Sequence, residues 1–140
     1  MKIIHCGLLG FGEARKMQED LVQERKSGAI SDTLLVLEHP PTLSLGLRAD
    51  RSDPAFDARL WKERGVEVQL NKRGGAATYH APGQMILYPV FSLRERGYGV
   101  REFVKRGLEG IAGAVVHLGL AADARLSWHR GKKCTLQASH

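Results

Sequence analysis

The fold of this 140-residue chain is best interpreted from one stretch, Arg73-Gly74-Gly75-Ala76-Ala77-Thr78-Tyr79-His80-Ala81-Pro82-Gly83-Gln84. Its three glycines can adopt positive φ and allow another backbone to approach closely. Its arginine, threonine, tyrosine and histidine side chains can all bind polar atoms. Because connections of this length are unusual between strands, we predict a functional loop here rather than a passive connection.

The segments on either side of this stretch predict a mixed α/β fold. Before it, the periodicity predicts a helix over 12–28, a buried strand over 33–37, a strand over 42–45 closed by Gly46, a helix over 57–64 and an alternating strand over 66–70. After it, we predict a strand over 85–91 with Pro89 at an edge or bulge, and a helix from Val100 to a C-terminal Gly119. We expect a single domain over 1–140, with possible hairpins and two longer helices on one face of the sheet.

Composition places the chain among ordinary globular proteins. Apolar residues make up 43% and charged residues 26%, which argues against intrinsic disorder. No apolar run reaches the ~18 residues of a membrane span, and the apolar start is too short for a secretion signal. Two cysteines, Cys6 and Cys134, do not form a disulfide framework. We therefore predict a cytoplasmic protein without a membrane segment, and no metal site, because no His/Cys cluster has ligand spacing.

The positive charge lies in the second half of the chain. Residues 1–70 carry 10 Lys/Arg and 11 Asp/Glu, whereas residues 71–140 carry 11 and 4, a net +7. An acidic partner and a merely soluble surface explain this equally well. A nucleic-acid-binding module is the least favoured explanation, because aromatic residues are only 6% and no binding signature is present.

Several single residues allow more than one interpretation. His39, before a pair of prolines, is either catalytic or holds a turn, and its position favours the structural role. Arg48 either binds an anion or faces solvent, and His80 either contacts a ligand or holds the loop. Cys6 is predicted to be a small core residue. Cys134 follows two lysines, whose charges would lower a thiol pKa.

The stretch Arg73–Gln84 resembles the signature of the octanoyltransferases of lipoate biosynthesis. Further blocks are similar to the same family, and the resemblance covers about residues 7–133; these blocks are 13–19, 31–41, 45–49 and 99–104. Within them, Leu47 replaces a common arginine and Ala81 a usual glycine. The resemblance implies the α/β fold of biotin and lipoate protein ligases, a mixed sheet with helices packed on it.

The resemblance also implies an activity and its residues. Such enzymes move an octanoyl group from octanoyl-acyl carrier protein to a lysine of lipoyl-domain proteins, namely 2-oxoacid dehydrogenases and the glycine cleavage H protein. The transfer proceeds through a cysteine thioester and needs no cofactor. The implied substrate-binding residues are Arg73, Gly74, Gly75, Ala76, Ala77, Thr78, Tyr79 and His80. Lys133 is the implied catalytic lysine, which lowers the pKa of the nucleophile.

The similarity stops after Lys133, where the family continues towards its nucleophilic cysteine. We therefore expect the C-terminal part of the domain, with that cysteine, to be missing from this chain, and we expect exposed sheet edges and low stability. Two alternatives stay open. One is a catalytically inactive fragment that only binds acyl carrier protein or a lipoyl domain. The other is a relative of the ATP-dependent lipoate and biotin ligases.

Overall fold

The computed structural model describes residues 1–50, 52–53 and 56–120, and its contacts divide the chain into two units, Met1–Phe91 and Ser92–His140. The first unit contains, in order, β1 (Lys2–Leu8), α1 (Phe11–Lys26), β2 (Thr33–Glu38), β3 (Thr42–Leu45), α2 (Ala58–Glu63), β4 (Glu67–Leu70), β5 (Ala77–His80) and β6 (Ile86–Val90). The described part of the second unit contains α3 (Val100–His117). The predicted mixed α/β class is confirmed.

The six strands of the first unit form two mixed sheets. One has the order β1-β2-β6 and the other β4-β3-β5. In each sheet the central strand has one parallel and one antiparallel neighbour. The expectation of hairpins is wrong for the described strands: β2 and β3 follow each other in the chain but belong to different sheets. The Pro40–Pro41 turn between them breaks strand pairing, because proline lacks the backbone N–H.

Two strands were not predicted from the sequence. Four of the 12 residues of the expected loop form strand β5, which pairs antiparallel with β3 in the register Thr42↔His80 to Leu45↔Ala77. The glycines and the proline around these four residues hide the strand pattern. Strand β1 was missed because His5, Cys6 and Gly7 interrupt its apolar pattern, and the strand is irregular between His5 and Gly7.

Helix α1 covers one face of the β1-β2-β6 sheet. Its Ala14 is buried against Leu35 and Leu37 of β2, and partly buried side chains complete this cluster: Ile4, Cys6, Leu9, Leu21, Ile86 and Tyr88. The predicted core position of Cys6 agrees with this packing. Met17, on the same helix, is exposed.

Helix α2 covers one face of the β4-β3-β5 sheet. Leu43, Leu45 and Val66 are buried there, packed by the partly buried Ala49, Phe56, Trp61 and Val68. The Asp57 carboxylate caps the helix by accepting a hydrogen bond from the Arg59 N–H at 2.8 Å. Because side chains alternate along a strand, Thr42 and Ser44 of β3 lie on the opposite face of this sheet.

Other local predictions are confirmed at the ends of elements. Pro89 lies on β6, at the edge of the three described strands of its sheet. Gly119 has φ +82° directly after Leu118, the C-cap residue of α3, as expected of a glycine that ends a helix. Over the described ranges, no helix combines the length and the apolar character needed to span a bilayer.

Replacing Leu35 with alanine should destabilise the first core strongly. Its side chain is fully buried, so we expect a loss of about 2–5 kcal/mol in the free energy of unfolding. The control is Leu47→Ala, at a position that is 70% exposed, where the loss should stay within about 0.5 kcal/mol. Urea denaturation followed by circular dichroism measures both, and equal losses would contradict the assigned core.

Candidate active site

The two faces of the β4-β3-β5 sheet divide the predicted binding residues between them. Tyr79 lies opposite Leu43 in the register and packs its ring 6.0 Å from that of Trp61 on α2. Its neighbour His80 lies on the other face, where the Ser44 hydroxyl is 3.5 Å from His80 Nε2. Since adjacent strand residues point to opposite faces, these two side chains belong to different surfaces of the protein.

Four rings meet on the Ser44 side, and we name them the histidine cluster: Phe11, His39, His80 and Tyr88. The two histidines are in edge contact, with ring centroids 5.2 Å apart. Phe11, from the first turn of α1, lies 5.1 Å from His39 and 5.6 Å from His80. Tyr88 of β6 lies 5.9 Å from His39. The cluster therefore joins α1 and strands from both sheets.

His39 is fully buried and both of its ring nitrogens have partners. Nδ1 lies 2.7 Å from the carbonyl oxygen of Leu9, and Nε2 lies 2.9 Å from the Tyr88 hydroxyl. A carbonyl can only accept, so Nδ1 carries a proton, and in the neutral ring Nε2 accepts from the Tyr88 hydroxyl. Burial raises the pKa of Tyr88, which keeps the hydroxyl protonated as that donor. These contacts support the structural role for His39.

Arg73 is held by β3 rather than by an acidic side chain. Its Nη2 donates to the Ser44 carbonyl oxygen at 2.6 Å and to the Ser44 hydroxyl at 2.9 Å, and its Nη1 donates to the Gly74 carbonyl at 3.0 Å. No Asp or Glu pairs with this guanidinium among the residues that the structure describes. Burial lowers the pKa of Arg73, although an arginine stays charged at neutral pH.

The 73–76 segment lies directly against the turn that follows β3. Gly46 N donates to the Ala76 carbonyl at 2.5 Å, Leu47 N to the Arg73 carbonyl at 3.0 Å, and Arg48 N to the Gly75 carbonyl at 3.1 Å. A Cβ on Gly46 would lie 2.5 Å from the Gly75 oxygen. Only glycine therefore permits this approach, which brings Arg73 to Ser44.

His80 is the titratable group of the site that lacks a full set of partners. Its Nδ1 is buried and makes no hydrogen bond to any residue in the described ranges. Burial lowers its pKa, and the neighbouring His39 and the positive Arg73 lower it further, with Gln84 opposing them. The His80 ring is therefore neutral at pH 7, with one nitrogen able to accept a proton.

Several predicted site residues meet on the Ser44 face, and others do not. Arg73 and His80 meet there, and the Thr78 carbonyl accepts from the Ser44 hydroxyl at 3.3 Å. The backbone after Arg73 on the way to His80 is formed by Gly74, Gly75, Ala76 and Ala77. Tyr79 lies on the other face. Lys133 and Cys134 lie outside the described residues.

Sequence reasoning missed three contributors to the site: Ser44, Gly46 and Tyr88. The available signal was weak in each case. A serine in an apolar strand and a glycine at its end fit an ordinary strand and turn, and Tyr88 fits a half-buried strand position. Only the pairing of β3 with β5 brings Ser44 to the Arg73 guanidinium.

Replacing Gly46 with alanine should displace the 73–76 segment. The overlap with the Gly75 oxygen predicts a loss of about 1–3 kcal/mol in the free energy of unfolding. Gly12→Ala is the matched control, because nothing lies within 4 Å of the added carbon inside α1 and alanine favours a helix by about 0.5–1 kcal/mol. Thermal denaturation distinguishes the two, and a stable Gly46→Ala protein would refute the close approach.

Replacing Tyr88 with phenylalanine should leave His39 Nε2 buried without a donor. The expected loss of stability is about 1–3 kcal/mol. The control is Tyr79→Phe, at a side chain that is 44% exposed, where little change is expected. Chemical denaturation of both variants is the measurement, and a neutral Tyr88→Phe change would show that the assigned hydrogen bond contributes nothing.

Comparison with known proteins identifies relatives along most of the chain. The model of the lipoyl protein ligase A/B catalytic domain matches residues 12–133. An octanoyltransferase of Chloroflexus aggregans is 44% identical over 109 residues, which are 78% of this chain and 49% of that protein. One of Roseiflexus sp. is 42% identical over 109 residues, 78% of this chain and 45% of that protein. The chain thus spans about half the length of the curated relatives it matches.

Solved structures agree with the fold. A lipoate-protein ligase A bound with ATP matches 98% of this chain and 55% of its own length, with a TM-score of 0.63 at 17% identity. A bi-partite lipoate protein ligase from Thermoplasma acidophilum matches 87% of this chain and 47% of its own, with a TM-score of 0.51 at 17% identity. These likenesses establish the ligase-like fold that the sequence predicted. The chain therefore belongs to the lipoyl protein ligase A/B catalytic domain family, and the curated proteins that it resembles are octanoyltransferases.

Proposed function

We propose that this chain carries the acyl-binding part of an octanoyltransferase, which moves an octanoyl group from octanoyl-acyl carrier protein to a lysine of a lipoyl domain. The observation that supports this most is the Arg73–His80 stretch. It matches the octanoyltransferase signature, and its two ends meet Ser44 on one face of the sheet. Identity above 40% to octanoyltransferases supports the same substrate class.

Octanoyl transfer through a cysteine thioester needs two acyl-transfer steps. In the first, a thiolate attacks the donor carbonyl carbon, the new C–S bond forms, the old C–S bond breaks, and the departing thiolate takes up a proton. In the second, the acceptor lysine amine attacks the carbonyl carbon of the new thioester, an amide bond forms, the C–S bond to the enzyme cysteine breaks and releases its thiolate, and the nitrogen loses a proton to a base. Each step develops negative charge on the carbonyl oxygen, so the site needs fixed positive charge and a proton acceptor.

The Ser44 face supplies both kinds of group. The Arg73 guanidinium is charged, half-buried and free of carboxylate partners among the described residues, so it can face developing negative charge. The lowered pKa of His80 leaves a neutral ring that can accept a proton. Lys133 keeps its proposed role of lowering the pKa of the nucleophile. Cys6 packs in the first core cluster, so we do not assign the nucleophile to it. Cys134 lies outside the described residues and is not assigned either.

The proposed partners follow from the same reaction. They are octanoyl-acyl carrier protein as donor, and the lipoyl domains of 2-oxoacid dehydrogenases and the H protein as acceptors. The net charge of +6 is compatible with acidic partners of this kind. A cytoplasmic location remains a prediction from the sequence.

Binding of octanoyl-acyl carrier protein by the full chain, without ATP, tests the proposal. Replacing Arg73 with glutamine should weaken binding roughly tenfold or more, because one charge-assisted hydrogen bond is lost. The control is Lys62→Gln, an exposed cation on α2, which should leave binding unchanged. Titration calorimetry measures the affinities, and intact mass after incubation detects any octanoyl adduct or transfer to an added lipoyl domain.

The outcomes separate the alternatives. Binding together with transfer of the octanoyl group supports the full octanoyltransferase reaction. Binding without adduct or transfer supports the fragment that only binds. Binding or transfer that requires ATP would instead favour a lipoate or biotin ligase relative, and absence of binding would contradict the proposal.

A further inference from the structure

Ser44 is fully buried, yet its side chain takes no part in the apolar core of its sheet. Its neighbours on β3, Leu43 and Leu45, form the second core with α2, whereas Ser44 points to the opposite face. There, two oxygen atoms of this one residue accept hydrogen bonds from the same nitrogen, Nη2 of Arg73, at 2.6 and 2.9 Å.

The same hydroxyl also reaches His80. Ser44 Oγ lies 3.5 Å from His80 Nε2 and 3.3 Å from the Thr78 carbonyl oxygen, both on β5. The Arg73 and His80 nitrogens are thus both within reach of one oxygen atom. A hydroxyl has one proton and two lone pairs, and Arg73 occupies one of the lone pairs. Its proton then goes to the Thr78 oxygen or to His80 Nε2.

We propose that Ser44 is a positioning residue that holds the Arg73 guanidinium beside His80, where its fixed positive charge opposes protonation of the His80 ring. The carbonyl and the hydroxyl oxygens of Ser44 both accept from one nitrogen of the guanidinium, so two hydrogen bonds fix its position. Without the hydroxyl, the long arginine side chain regains rotamer freedom and moves its charge into solvent. The catalytic significance of this role rests on the proposed function, whereas the positioning of Arg73 by Ser44 does not.

The charge on His80 responds to every group packed around it. His39 from the turn after β2, Phe11 from α1, Arg73 from the 73–76 segment and Gln84 from the turn after β5 lie around the ring. Tyr88, which hydrogen-bonds to His39, stays protonated, and both ring nitrogens of His39 have hydrogen-bond partners. Arg73 is thus the permanent positive charge of this group, and its displacement should make protonation of His80 easier.

The test is the titration of His80 in the full chain, followed by NMR of the histidine ring nitrogens and carbons. In Ser44→Ala, the midpoint should rise by about half a pH unit or more, as expected when a like charge a few ångströms away moves into solvent. Arg73→Gln should raise it similarly. In the double variant, Ser44→Ala should add no further rise, because Ser44 acts through Arg73.

Three further variants separate positioning from structural damage. Ser44→Thr retains the hydroxyl and should keep the wild-type midpoint. Thr42→Val removes another fully buried hydroxyl. Thr42 is the register partner of His80, but its hydroxyl donates to the Pro40 carbonyl. This variant should therefore leave the midpoint within about 0.2 pH unit of wild type. Arg73→Lys keeps the charge but cannot reproduce the two-point contact, so the midpoint should rise.

The results decide the proposal independently of acyl transfer. An unchanged midpoint in Ser44→Ala, or a rise of the same size with Arg73 already replaced by glutamine, would overturn it. If Ser44→Ala does not fold, Arg73→Lys takes its place. A wild-type midpoint in that variant would refute the positioning of Arg73 by Ser44. If Ser44→Ala loses the octanoyl-acyl carrier protein binding that the unchanged chain shows, without any change in the His80 midpoint, the proposed function stands and the role of Ser44 is refuted.

Discussion

The site depends on one contact, that between the Arg73 guanidinium and the two oxygen atoms of Ser44. A half-buried cation loses hydration and needs hydrogen-bond acceptors in compensation. Here those acceptors are uncharged, so the positive charge is held in place but not neutralised. The geometry of β3, β5 and the segment between β4 and β5 serves this contact, and Gly46 allows that segment to come close enough.

This contact also explains why the two faces of the β4-β3-β5 sheet differ. The α2 face is closed by Leu43, Leu45 and Val66, with Tyr79 against Trp61 at its margin. The Ser44 face carries polar groups and the histidine cluster, in which the ring contact between His39 and His80 links β5 to the end of β2 in the other sheet. One four-residue strand therefore contributes Tyr79 to the packing of one face and His80 to the chemistry of the other.

Much of the fold could be predicted from the sequence because its signals are local. Apolar periodicity identified α1 and α3, and glycine and proline marked the ends of β2, β3 and α2. Strand β5 was missed because its four residues, Ala77–His80, lie between turn-forming residues and carry no apolar alternation. The pairing of strands into two sheets was also missed, because parallel neighbours such as β1 and β2 are separated by a whole helix in sequence. Arg73 and His80 were found through a family signature, whereas Ser44 becomes meaningful only when β3 and β5 pair.

The central claim is that the octanoyl chain binds on the Ser44 face, beside Arg73 and His80. NMR of the full chain, titrated with an octanoyl thioester, tests it most directly, because each face carries its own reporter. The account predicts that the ring signals of His80 and the side-chain signals of Arg73 change on binding, while the indole signal of Trp61 on the α2 face stays constant. Changes at Trp61 and Tyr79 with constant signals at His80 and Arg73 would contradict it.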